Sequence, residues 1–163
     1  MRWILTAALA AAAGLTAAGA HAQELKLVGL DGRAAVVAAA DIAAMPHVTL
    51  TVTVEGKTNT YKGVPLAALL GRVNAPLGQA LRGQELRDVV VVSGKDGYAA
   101  VIALAEADPF ERKQQIILAD GVDGGPLPST QAPYRLVVEG DQRGARLVRM
   151  VATIELRRLA PTP

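Results

Sequence analysis

Four arginines, Arg135, Arg143, Arg146 and Arg149, fall within fifteen positions and are interleaved with Gly140 and Gly144. A guanidinium fork matches the oxygens of a carboxylate or phosphate, and glycines let backbone come close to a ligand. The stretch from Asp120 to Met150 can therefore build an anion pocket, or an ordinary β-corner with solvated arginines. Arg135 interrupts the apolar run Tyr134 to Val138. A charge there needs a buried carboxylate, a cluster of carbonyls or an anionic ligand. Asp120, Asp123 and Asp141 are the internal candidates. Along an expected strand from Arg146 to Leu156, alternation puts Val148, Met150, Ala152, Ile154 and Leu156 on one face, and Arg149, Thr153 and Glu155 on the other. Arg146 shares the parity of the core face but stands at the strand's mouth, where it can point into a crevice. Arg157 and Arg158 read as a solvated end.

Other chemistries find little support. Ser93 and Ser129 lie in turn-like segments outside any Gly-x-Ser-x-Gly elbow. Asp96, Asp120 and Asp123 sit beside glycines, as turns require. No Walker or dinucleotide-binding glycine pattern is present. The sequence has no cysteine, so it offers neither a disulfide nor a thiolate for a metal. His47, at the start of a strand, reads as a surface or capping residue.

Short strands and small helices must position the arginines. Asp31-Gly32 between two apolar runs predicts a hairpin of Leu25–Val28 with Ala34–Val37. A short helix over Ala38–Ala44 ends before Pro46. Val48 to Val54 alternates strictly with threonine and turns at Glu55-Gly56-Lys57 into a return strand from Thr58 to Tyr61. Pro65 opens a helix that carries Leu66, Leu69 and Leu70 on one face, and a weaker helical piece covers Leu77–Leu81. Val89–Val92 reads as a central strand paired with Tyr98–Ile102, followed by a helical turn at Leu104–Asp108. Gln115–Ala119, Tyr134–Val138 and Arg146–Leu156 complete an α+β, mainly β domain with its helices between hairpins and a single core.

The chain has 163 residues, with 17 Lys and Arg against 15 Asp and Glu. Met1-Arg2, the apolar run Trp3–Leu15 and the small-x-small site Ala20-His21-Ala22 have the order of a secretory signal peptide. Cleavage near Ala22 would leave residues 23–163 as one domain, periplasmic or secreted, that does not span a membrane. Near-balanced charge and only one Phe, three Tyr and one Trp argue against nucleic acid as a partner.

At the arginine stretch a family pattern emerges. Gly124-Gly125-Pro126-Leu127-Pro128, Ala132-Pro133-Tyr134-Arg135-Leu136-Val137-Val138 and Gly144-Ala145-Arg146-Leu147-Val148-Arg149, with Tyr61-x-Gly63-Val64-Pro65-Leu66 upstream, resemble the molybdopterin-binding domain of sulfite oxidase-type oxidoreductases. The resemblance covers about Tyr61 to Leu156 and implies that fold. It also implies basic contacts to a pterin at Arg146 and Arg149, with Arg135 as the family's strand arginine. The sequence departs from the family where a cysteine thiolate would hold molybdenum, since it has none, and Gln131-Ala132 replaces the family's His-Gly. Glu139 replaces a proline and would put an acid beside the pocket.

The expected function is an exported, non-catalytic binding or accessory module. Its Arg135, Arg146 and Arg149 would hold an anionic small molecule, or an acidic segment of an exported or membrane protein partner. No cofactor is expected, and molybdopterin enters by resemblance only. The alternatives are a molybdopterin oxidoreductase whose metal needs no protein thiolate, and a structural or sensory partner of a membrane complex.

Overall fold

Among the described residues, ten strands, three short α-helices and three 3-10 turns follow one another. In the computed structural model, which describes residues 24–161, they form two five-stranded sheets. The signal-like segment lies outside these residues. The first sheet has the order β2 (Ala34–Ala38), β1 (Glu24–Val28), β10 (Val151–Arg158), β5 (Asp88–Gly94), β6 (Ala99–Ala103). Within it β1 and β10 run parallel and the other pairs antiparallel. The second has the order β3 (Val48–Val54), β4 (Lys57–Pro65), β7 (Ile116–Val122), β8 (Gly125–Pro126), and β9 (Arg135–Val138) also pairs with β7. The helices are α1 (Ala39–Ala43), α2 (Leu66–Gly71) and α3 (Leu104–Ala107).

The facing sides of the two sheets meet in one core. Leu25, Leu27, Val90 and Ile154 from the first sheet pack with Val64, Leu118, Leu136 and Val138 from the second. Leu66, Leu69, Leu70 and Leu104 from the helices close its margins. Each such side chain contributes about 1.5–3 kcal/mol when fully buried.

The expectation of a single core fails. On the far side of the second sheet, Leu50, Val52, Tyr61, Ile117, Ala119 and Val137 form another cluster, covered by Leu127 and Leu147 of the long loops. The strand β7 is therefore buried on both faces. Ile116 and Leu118 serve the first core and Ile117 and Ala119 the second, which is why the run lacks alternation. Arg135 has the parity of Val137, so it stands on the second face.

Gly63 is where β4 comes closest to β7. A Cβ there would overlap the carbonyl oxygen of Leu118 and lie 2.5 Å from the Ala119 Cα. Beside it, β7 carries one extra residue, because Lys62 pairs with Gly121 and Gly63 with Ala119. The bulged residue is Asp120.

The last strand also departs from expectation. It begins at Val151 rather than Arg146, and Gly144–Arg146 forms a 3-10 turn. Residues 147–150 have backbone partners in other elements. The Val148 carbonyl accepts from Leu136 N–H, Met150 N–H donates to Gln131, and the Met150 carbonyl accepts from Lys95 N–H. A register shift between Val151 and Thr153 then resets the alternation, so Val151, Ile154 and Leu156 point inward.

Candidate anion-binding cleft

The turn Glu55-Gly56, with φ of 53° and 77°, has the two left-handed residues that a tight two-residue hairpin demands. It fixes β3 against β4 so that Val52, Val54, Asn59 and Tyr61 form one wall of a cleft of about 580 Å³. Gln131, Arg135 and Leu147 form the other wall. A smaller space of about 430 Å³ shares Arg135, Gln131 and Leu147 and extends to Arg149 and the turn at Asp96 and Tyr98.

Arg135 sits between the two spaces. Its Cζ lies 5.4 Å from the centroid of the Tyr61 ring, a cation–π distance. Its Nη1 donates to Gln131 Oε1 at 2.6 Å, and its buried Nε has no acceptor. Burial pushes the guanidinium below its ordinary pKa; Tyr61 opposes that shift and the charge of Arg149 adds to it. The carboxylate partner foreseen among Asp120, Asp123 and Asp141 is absent among the described residues.

Each of those acids is engaged elsewhere. Asp123 accepts from Thr60 N–H at 2.8 Å and from Asn59 Nδ2 at 2.7 Å, which hold its carboxyl below the usual value. Asp120 faces His47 Nε2 at 2.9 Å, and Asp141 grips Arg146. The remaining charges on the cleft are Glu55, Lys57 and Asp96, and Asp96 Oδ1 accepts from Tyr98 N–H at 3.0 Å.

Arg146 does not join this cleft. Its Nε and Nη2 grip Asp141 at 3.0 and 2.5 Å, and its Nη1 donates to Glu106 Oε2 at 2.6 Å. The bridge to Asp141 raised for Arg135 thus belongs to Arg146, whose pKa is driven above its ordinary range chiefly by that bond. Two carboxylates, Asp141 and Glu106, already face its single charge. Arg149 is exposed and lines the smaller space. Gly94 lets its backbone come close, because a Cβ there would collide with the Arg149 carbonyl oxygen.

Glu139 is likewise not beside the pocket, since its carboxylate accepts from Gln115 N–H at 2.7 Å. Arg158 is no free end either: it forks onto Asp88, whose side chain is 0 % exposed. His47 is tied rather than solvated, with Nδ1 2.7 Å from the Met45 carbonyl oxygen and only 12 % of its side chain exposed. The groups that sequence reasoning missed are Gln131 and the Tyr61 ring beneath Arg135. Gln131 was visible only as a substitution in the family pattern, and the Tyr61 contact spans 74 positions.

A family model described as "Oxidoreductase molybdopterin binding domain" matches residues 15–161. The chain belongs to this family. Among solved structures, the sulfane dehydrogenase SoxCD from Paracoccus pantotrophus matches with a TM-score of 0.65 at 19 % identity, over 82 % of this chain and 38 % of that one. The chain thus spans under two fifths of that relative's length, and the likeness shows the fold. No curated protein matches the sequence.

The family's cofactor can be tested against the donor set. The sequence holds no cysteine, and the described residues include no group of three or more His, Cys, Asp and Glu able to hold a metal. A molybdenum centre held by a protein thiolate does not fit. The two spaces instead bring the Arg135 and Arg149 guanidiniums and Lys57 together with Glu55, Asp96 and Asp123, against Val52, Val54 and the Tyr61 ring.

Proposed function

We propose that this domain of the molybdopterin-binding family is a non-catalytic binding or accessory module, whose cleft holds an anionic small molecule or a partner's acidic segment on Arg135 and Arg149. One observation carries the reading. Arg135 is a half-buried cation with a neutral amide as its hydrogen-bond partner, a ring beneath it and an unpaired buried Nε. Buried charges are ordinarily paired, and the part of this guanidinium that faces the cleft is what a ligand would pair with. The order of residues 1–22 supports export, and no helix among the described residues is long and apolar enough to cross a membrane.

Thermal melts of the protein titrated with phosphate, sulfate and small carboxylates test the site. A specific anion at about 100 times its Kd adds about 2.7 kcal/mol of stability. Arg135→Met and Arg149→Ala abolish that gain, whereas Arg146→Ala lowers the melting temperature and keeps it. A response lost equally in all three variants refutes the assignment. Stoichiometric molybdenum and pterin in protein from its native host would establish the oxidoreductase reading instead.

A further inference from the structure

The strand β3 is the outer edge of the second sheet, and its sequence is Val-Thr-Leu-Thr-Val-Thr-Val. Its seven residues outrun the five of β2 and of β6, the edges of the first sheet. The register with β4 shows which of its backbone groups are free. The two-residue turn closes on the pair Val54–Lys57, so the ladder bonds of an antiparallel pair fall on Val54, Val52, Leu50 and Val48. The N–H and C=O groups of Thr49, Thr51 and Thr53 then point away from β4. The side chains agree: Thr51 and Thr60 hydroxyls meet at 3.0 Å, and Thr53 and Thr58 at 2.7 Å. Such close side-chain pairs mark the positions without ladder bonds. No described residue hydrogen-bonds the outward backbone of these three threonines.

Edge strands are commonly protected by charge, proline or a bulge. This one carries none, and among the described residues the one backbone bond near its end lies past the strand, where Glu55 N–H donates to the Gln142 carbonyl. Its alternation of apolar residues and threonine reads the same in both directions about Thr51, with Leu50 and Val52 as the one unlike pair. Antiparallel pairing about Thr51 sets Thr51 opposite Thr51 of a second copy and Thr49 opposite Thr53. Leu50 then meets Val52 on the other face. All the outward groups find partners, in about six hydrogen bonds, and no like charges oppose each other.

We propose that β3 is a self-association edge, on which a second copy of this chain adds its own β3 antiparallel about a two-fold axis at Thr51. The pairing is isologous and closes at a dimer, joining the two second sheets into one continuous sheet. The palindromic, uncharged pattern favours a second copy over a foreign extended segment, which has no reason to repeat threonine at alternate positions.

Sedimentation of the purified protein across about 1 μM to 1 mM, with amide hydrogen exchange, tests this. The wild type shifts from monomer to dimer, and the Thr49, Thr51 and Thr53 amides become protected as concentration rises. Thr51→Pro removes an N–H that β4 does not use and blocks the partner, so it stays monomeric with an intact fold. Thr51→Lys places like charges opposite each other and weakens association at least about fivefold. A wild type that remains monomeric throughout overturns the proposal. So does a dimer that both variants form as readily as the wild type, or one that leaves the three amides unprotected.

Discussion

Replacing Arg135 by methionine separates a ligand-binding arginine from a structural one. The substitution removes the charged hydrogen bond to Gln131, costing about 1.5–3 kcal/mol, and the contact with the Tyr61 ring, about 0.5–1 kcal/mol. It also relieves the buried Nε that lacks an acceptor, a group that penalises the fold by about 1–3 kcal/mol. Methionine keeps an apolar stem beside Leu147 and the Tyr61 ring. The opposing contributions largely cancel, leaving a net loss of about 0–2 kcal/mol. An arginine closing a buried ion pair would cost about 3–5 kcal/mol on truncation. Urea unfolding with an unchanged slope measures the difference from the shift in midpoint. A loss above about 3 kcal/mol would show that Arg135 holds the fold together, and the reasoning for an anion site would fail. A small loss accompanied by an abolished anion response is the signature of a residue kept for binding at some expense of stability.

Two further perturbations probe the scaffold. Gly63→Ala forces β4 away from the β7 backbone, since neither the Leu118 carbonyl nor the Ala119 Cα can yield as a side-chain tip would. It should cost about 3 kcal/mol by the same urea measurement, and a loss within experimental scatter would contradict the close approach. Tyr134 titrates above its ordinary value of 10.0, through burial first and the charge of Asp120 second. A raised folded pKa gives stability that is complete below the unfolded value and declines as pH rises through the folded one. The wild type should therefore lose stability above about pH 10, and Tyr134→Phe should show a shallower alkaline decline; identical alkaline limbs would refute the assignment.

Local pattern carried most of the elements. The threonine alternation of Val48–Val54 gave β3 to the residue, because one face is solvated and the other buried. Asp31-Gly32 and Glu55-Gly56 marked hairpins, since few residues tolerate the left-handed turn they contain. The family signature around Gly63 and Arg135 pointed to the fold, and Gly63 has a plain reason in the β4–β7 approach. Parity did not place Arg146, because it presumes an unbroken strand and the last strand begins only at Val151. Residues 147–150 instead bond to Leu136 of β9, to Gln131 and to Lys95 just after β5, and the bulge after Val151 resets the faces. Arg158 and His47 looked solvated because their partners, Asp88 and Asp120, lie 70 and 73 positions away.

The sequence by itself determined the periods, the turns, the absence of any thiolate and the presence of a cationic cluster. These depend on neighbours a few residues apart and on composition. Which arginine keeps its charge free was decided only by tertiary structure. Asp141 and Glu106 converge on Arg146, while Arg135 is set over the Tyr61 ring with an amide for company. Coulomb and hydrogen-bond energies change within a few ångströms, and distances between residues remote in the chain exist only once the sheets have packed.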